Sequence, residues 1–271
     1  MSLADTFDAV RPSIIAFTSR LIPARAEGPP AFPPVFGTGF FVDRSGIVAT
    51  NRHVAEELDR LPLDPRNRRR GGVGIIFVGP MPHDGNRLRL GTLFLDVESV
   101  HSLAAFETAA LWYGPVLPDI AFVRLRVREV PWLPLVTDLN VHRAGVPVAT
   151  AGFPLGTDVM LVHGGVTQLT PLLRHGIISS VFPFQAPVPC GFTIDVMQQR
   201  GSSGSPIFLP ENGRVVGILH AGFPQTNLTL AVTSHLLRRA LESFQQQDRI
   251  LPVASDLVGR CSRGSHGSLT L

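Results

Sequence analysis

Hydrophobic positions along this chain come in short runs. SIIAFTSR (13–20), GTGFFVD (37–43), GIVAT (46–50), VGIIFVG (73–79), LRLGTLFLDVESV (88–100) and DIAFVRLRV (119–127) follow one another in the first half. VPVATAG (146–152), HGIISSVF (175–182), GFTIDV (191–196), PIFL (206–209), RVVGILHA (214–221) and LTLAV (228–232) follow in the second. They favour β-branched and aromatic residues and are punctuated by Gly, Pro, Asn and Asp, the signature of strands joined by turns. Two turns are explicit: DRSG at 43–46, and HDGN at 83–86 with its Asp-Gly centre. Helical spacing is rare. HVAEELDR (53–60) suits two turns, and SHLLRRALESFQQQ (234–247) sets Leu236, Leu237, Ala240, Leu241 and Phe244 on one face, with Ser234 placed to cap it. The pattern predicts an all-β protein with about six strands in each half and a C-terminal helix. A first unit is expected over 1–130 and a second over 131–247; the polar, Gly/Ser-rich stretch 248–271 reads as a mobile tail.

Composition agrees with a packed core: 44% of the 271 residues are hydrophobic and 17% charged. No apolar run is long enough to span a membrane as a helix. The start, MSLADTFDAVRPSIIAF, lacks the basic and then apolar regions of a signal peptide, so a cytoplasmic location is expected unless a leader has been removed. The net charge of +3 and pI of 9.6 look basic, but every basic side chain is Arg, whose high pKa lifts the pI. The one cluster, RNRRRGG at 66–72, reads as a solvated loop, and no nucleic-acid partner is expected. Cys190 and Cys261 exclude a CxxC metal site; they read as free thiols with one bridge open to them. Neither metal nor cofactor is expected.

Chemistry enters with QRGSSGSPIF at 199–208. A five-residue Gly/Ser run between two strands is a tight turn and not a spacer. Glycines there let consecutive backbone N–H groups converge on one point, the geometry of an oxyanion hole beside a nucleophilic serine. Such a serine needs a base and a carboxylate that orients the base. Of nine histidines, His53 stands out at the start of a short helix after a strand-turn-strand unit. Asp119, before the apolar run IAFVRL, competes with Asp96 and Asp195 for the carboxylate role. His, Asp, Ser is the chymotrypsin order; subtilisins and α/β-hydrolases use other orders on other folds.

These stretches resemble a chymotrypsin-fold serine peptidase, and most closely the bacterial HtrA-like (DegP-like) branch. GTGFFVDRSGIVATNRHV resembles the G-[ST]-G … TN-x-HV segment, LPDIAFVRL the D-[IL]-A-[VL]-[LI] strand, and AGFPLG the GNPFG loop. LLRHGIISSV resembles the T-x-GIVS strand, and FTIDVMQQRGSSGSPIF the segment that carries the nucleophile. The resemblance runs to about residue 246 and implies two six-stranded antiparallel β-barrels of chymotrypsin type. It implies Ser203 as nucleophile, His53 as base, Asp119 as orienter, and the N–H groups of Gly201 and Ser203 as the oxyanion hole. Ser202 and Ser205 are left with structural roles in the turn.

The family's Gly-Gly after the nucleophile is Gly204-Ser205 here. No PDZ domain follows within this sequence, and the stretch 101–118 is long enough to fold over the site. Ser202 replaces the Asp that pairs with a freed N-terminus in trypsin-like zymogens, so activity without N-terminal cleavage is expected. The resemblance places the primary pocket at Met197, Gln198, Leu219, His220, Ala221 and Gly222, with Leu230 and Ala231. Met197 at its base implies cleavage after small or medium aliphatic residues, with His220 as the rival feature that would favour Glu or Gln. The function implied is a serine endopeptidase acting on polypeptides. The alternative is a protease-fold binding or scaffolding protein.

Overall fold

The computed structural model describes residues 1–20, 34–64, 70–83, 87–105, 118–156, 170–183, 188–222, 226–250 and 269–270. The first half forms β1 (Ile14–Ser19), β2 (Val35–Phe41), β3 (Ile47–Thr50), β4 (Gly72–His83), β5 (Arg87–Ala105) and β6 (Ala121–Leu125). They pair antiparallel in the ring β1–β2–β3–β6–β5–β4, which closes on β1. The second half forms β7 (Pro147–Gly152), β8 (Leu172–Phe182), β9 (Gly191–Ile194), β10 (Pro206–Phe208), β11 (Val215–Gly222) and β12 (Thr229–Thr233). These close as β7–β8–β9–β12–β11–β10. The expected pair of six-stranded barrels is therefore the fold.

Three cores explain why the strands read as continuous apolar runs and not as alternation. Successive side chains on a strand point to opposite faces. On β2, Phe40 enters the core between the barrels while Phe41 enters the first barrel; on β3, Ile47 and Ala49 go to the former and Val48 to the latter. Phe122 and Val123 of β6 divide the same way. Both faces are buried, so both positions are apolar. The second barrel is filled by residues such as Val148, Ile178, Phe192, Ile207 and Val216.

The chain ends lock the halves together. A helix α1 (Leu3–Val10) precedes the first barrel but docks on the second, with Thr6 Oγ1 donating to the Pro210 carbonyl at 2.6 Å. Apolar periodicity did not foretell α1; the capping box of Ser2 and Asp5 is the local signal for it. The helix α2 (Arg52–Arg60) follows β3, and α3 (Ser234–Ile250) follows β12. The predicted face of α3 is buried, and Phe244 stacks on Phe122 of the first barrel with centroids 5.4 Å apart. Ser234 does not act as the cap expected of it: its hydroxyl donates to Val136 O, tying the helix to the inter-barrel linker. That linker is laced to both sides, by Leu133 N–H to Phe41 O and by Val136 N–H to Val215 O.

In the DRSG turn, Asp43 Oδ1 accepts from Ser45 N–H and Ile47 N–H, and Gly46 takes a φ of +88°. The centre of HDGN, most of RNRRRGG, residues 106–117 of the long stretch, and 251–268 of the tail with Cys261 lie outside the described residues. Leu269–Thr270 pair parallel with the end of β5. Cys190 is a half-buried free thiol. Among the described residues no helix is long and apolar enough to cross a membrane, and no cluster of three metal-ligating side chains occurs.

The Phe122–Phe244 stack predicts a measurable cost. Phe122→Ala should lower stability by about 3–5 kcal/mol. Phe244→Ala should act similarly, and in urea unfolding the double substitution should cost less than the sum because the rings contact each other.

Candidate active site

His53 is the second residue of α2. The four leading N–H groups of a helix lack internal partners. Asn51, at the cap position, makes no side-chain cap; Asp119 reaches across from just before β6 instead, its Oδ1 accepting the His53 backbone N–H at 3.1 Å. Asn51 Nδ2 in turn donates to the Asp119 carbonyl at 2.8 Å. The second carboxylate oxygen, Oδ2, lies 2.5 Å from His53 Nδ1. Asp119 is 7% exposed. Burial alone would raise its pKa, but hydrogen bonds from His220 and His53 outweigh that and hold it far below the usual carboxylate range. An ionised carboxylate only accepts, so His53 Nδ1 carries the proton in this pair. The neutral ring then has a bare Nε2, able to act as a base. The Asp119 hydrogen bond raises the His53 pKa, and burial offsets part of the rise. The rival carboxylates lie elsewhere: Asp96 pairs with Arg20, and Asp195 accepts the Ile177 N–H.

The serine turn is built on two left-handed glycines, Gly201 at φ +90° and Gly204 at +85°. A Cβ on Gly204 would sit 2.0 Å from the Thr38 carbonyl, and one on Gly201 would sit 2.3 Å from the Phe153 carbonyl. Thr38 of β2 grips this turn from the other barrel. Its N–H donates to Ser203 O at 2.8 Å, its hydroxyl donates to Gly201 O at 2.7 Å, and the hydroxyl accepts from Phe153 N–H at 3.1 Å. The Arg200 carbonyl accepts from Leu155 N–H at 2.7 Å. In a trans peptide the next N–H points the opposite way, so Gly201 N–H is turned away from Leu155. Among the described residues neither Gly201 N–H nor Ser203 N–H has a partner. Both are open donors on the serine turn. Ser205, the departure from Gly-Gly, is accommodated by Gly152: a Cβ there would lie 1.9 Å from Ser205 Oγ.

The pocket residues are rearranged relative to expectation. His220 does not face the pocket; its Nδ1 lies 3.0 Å from Asp119 Oδ2. The register between β11 and β12 shifts between Leu219 and Ala221, so His220 is the extra residue of a bulge. A bulge re-aims its side chain, and no sequence pattern marks this one. Met197 is not a buried floor but is 43% exposed. Arg174 of β8 braces this segment, its guanidinium bonding the Met197 carbonyl and, at 2.6 Å, Gln199 Oε1. Leu219 is buried, and Ala231 lies in the second barrel's core. Gln198 lies against Gly222, and its Nε2 donates to Ser203 Oγ at 3.2 Å. Thr38 and Arg174, both central to this geometry, were not singled out from the sequence. The Thr of GTGFF sits where the resemblance had a motif, but nothing local marks Arg174.

Two closed antiparallel barrels in this connectivity are the architecture of the chymotrypsin-type serine endopeptidases. The chain belongs to the trypsin-like peptidase family, because residues 37–218, more than half of it, match the model of the trypsin-like peptidase domain. No curated protein matches it by sequence. Among solved structures it is similar to the serine endoprotease from Yersinia pestis, with a TM-score of 0.57 and 15% identity over 92% of this chain and 68% of that one. The HtrA-type protease AlgW with decapeptide gives 0.59 and 15% over 91% and 68%. Deg5 gives 0.51 and 17% over 87% and 90%. At these identities the likeness is one of fold.

Thr38→Val keeps shape but removes the hydroxyl that serves Gly201 O and Phe153 N–H. Each stranded buried partner costs about 1–3 kcal/mol. Urea unfolding should show a loss of roughly 2–4 kcal/mol, largely restored in Thr38→Ser, which keeps the hydroxyl.

Proposed function

We propose that this peptidase cleaves polypeptides through an acyl-enzyme formed on Ser203. Ser203 Oγ attacks the scissile carbonyl as His53 Nε2 takes its proton, and the carbonyl oxygen becomes an oxyanion held by Gly201 and Ser203 N–H. The C–N bond then breaks as His53 returns the proton to the leaving amine. Water, activated by the same base, hydrolyses the ester and restores Ser203. Asp119 holds the imidazole in the required tautomer throughout. The observation that carries this reading is the 2.5 Å contact of His53 Nδ1 with a buried, ionised carboxylate, which leaves Nε2 as a base. The substrate side chain before the cut is a small or medium aliphatic one, since the pocket positions next to the serine turn are taken by Met197 and Leu219, and neither offers a carboxylate to pair with a buried cation.

One observation favours the alternative, a protease-fold binding protein: Ser203 Oγ is bonded to Gln198 and not to His53. A fluorophosphonate probe decides. Labelling at Ser203 that disappears in His53→Ala marks a working site, and an intact wild-type protein that resists the probe favours the binding protein. Ser203→Ala and His53→Ala should each lower turnover by roughly 10⁴–10⁶-fold, with the double variant little worse than either. Ser202→Ala and Ser205→Ala should keep measurable activity.

The acid limb of kcat/KM reports the free enzyme's base. His53 must be neutral to accept a proton, and Asp119 raises its pKa. The limb should therefore lie above the ordinary histidine value of about 6.5. Asp119→Asn removes the raising interaction, so the limb should move to lower pH while the plateau falls by roughly 10⁴-fold. A limb that stays in place would show that another group controls it.

A further inference from the structure

We propose that Gln198 is a displaceable plug. Its carboxamide lies across the Gly222 wall of the primary pocket and holds Ser203 until substrate displaces it, and its bulk at that wall disfavours side chains larger than those of Ala or Val. The inference rests on Ser203 being the nucleophile of the reading above.

Three observations carry it. Gln198 crosses from its own segment to the opposite wall, where a Cβ on Gly222 would sit 2.6 Å from Gln198 Cβ and 3.1 Å from its Oε1. Only a glycine at 222 leaves room for the side chain to lie there. At its tip, Nε2 donates to Ser203 Oγ at 3.2 Å, and Ser203 makes no bond to His53. The other tip atom, Oε1, is buried and has no partner among the described residues. An unpaired buried acceptor is unfavourable, so the plugged state is shallow, and swinging the carboxamide into water restores its hydrogen bonds.

The moving part is the side chain and not the loop. Both neighbours are braced by Arg174, which holds the Met197 carbonyl and Gln199 Oε1. The Gln199 carbonyl is further held by Ser202 N–H at 3.0 Å, and the Arg200 carbonyl by Leu155 N–H. Rotation about the Gln198 side-chain bonds withdraws the carboxamide without disturbing any of these, while its Cβ stays against Gly222. It also frees Ser203 Oγ to turn toward His53.

Two measurements test this on the full chain. Product-like N-acetyl peptides ending in Ala, Val, Leu or Phe are titrated calorimetrically against the wild type, Gln198→Ala and Gln198→Ser, a comparison that needs no turnover. The rate of fluorophosphonate labelling is followed in parallel, and thermal melts confirm that each variant is folded. The expected result is that the wild type ranks Ala and Val first. Both variants should shift the ranking to Leu and Phe by tenfold or more, and should label roughly two- to tenfold faster, the range one net hydrogen bond commands. An unchanged ranking, or no binding of any peptide to the variants, overturns the plug whatever the labelling does. Failure of every protein to label, with a shifted ranking, would sink the nucleophile assignment and leave the plug standing.

Discussion

The threonine at position 38 joins the two halves of the site. His53 and Asp119 belong to the first barrel, and the serine turn belongs to the second. Two rigid bodies packed through a greasy interface would not by themselves fix a side chain on one to the accuracy that proton transfer needs. Thr38 does so with three hydrogen bonds to three backbone groups, Ser203 O, Gly201 O and Phe153 N–H. Its own carbonyl accepts from Thr50 Oγ1 at 2.7 Å, one residue before the cap of α2. The strand that grips the serine turn is thereby bonded to the strand that launches His53. The flanking glycines make the approach feasible: a Cβ on Gly37 would come within 3.1 Å of Ser203 O, and one on Gly39 would strike Phe17 and Val48.

Charge is organised around one buried acid. Asp119 serves His53 twice, through its ring and through its backbone N–H, and so doubles as the missing cap of α2. The helix N-terminus favours a negative charge nearby, which helps keep the carboxylate ionised despite burial. His220 adds a second ring on the same oxygen. Its Nδ1 must also carry a proton, since the carboxylate has none to give. The two histidines thus compete for one acceptor, and the share that reaches His53 sets how strongly Asp119 can stabilise an imidazolium.

Nearly all of the barrel strands were legible in the sequence, because the apolar runs are short and end at Gly, Pro, Asn or Asp. What set their length was burial on both faces, which also made the runs continuous. Elements held by few apolar contacts were less visible, as α1 illustrates: only Val10 and Thr6 of that helix are buried. Within the site, His53 and Asp119 were legible as candidates through their places at element ends, in the first turn of α2 and just before β6. His220 was not, because a one-residue bulge decides which way it points, and bulges leave no periodic trace. Arg174 was hidden for a different reason. It sits in β8 among residues of mixed exposure, and its role depends on carbonyl and amide groups 23 and 25 positions away along the chain.

The serine turn shows how a departure from a motif is absorbed. A side chain at position 205 places a hydroxyl where the family's second glycine has nothing, and that hydroxyl is buried without a partner. The turn does not tilt to relieve it: Ser205 N–H still closes on Ser202 O at 3.0 Å, and Leu219 still brackets the turn through Gly204 N–H and Ser205 O. Room for it is made on the neighbouring strand by Gly152 of β7, whose missing Cβ is the space the hydroxyl occupies. Thr150, two residues earlier on the same strand, also keeps a buried hydroxyl without a partner, and both residues line the small cavity beneath the turn. A cavity of about 10 Å³, lined by apolar groups as well as these hydroxyls, has room for one water. Position 205 is therefore coupled to position 152, and a larger residue at 152 is compatible with this fold only where 205 reverts to glycine.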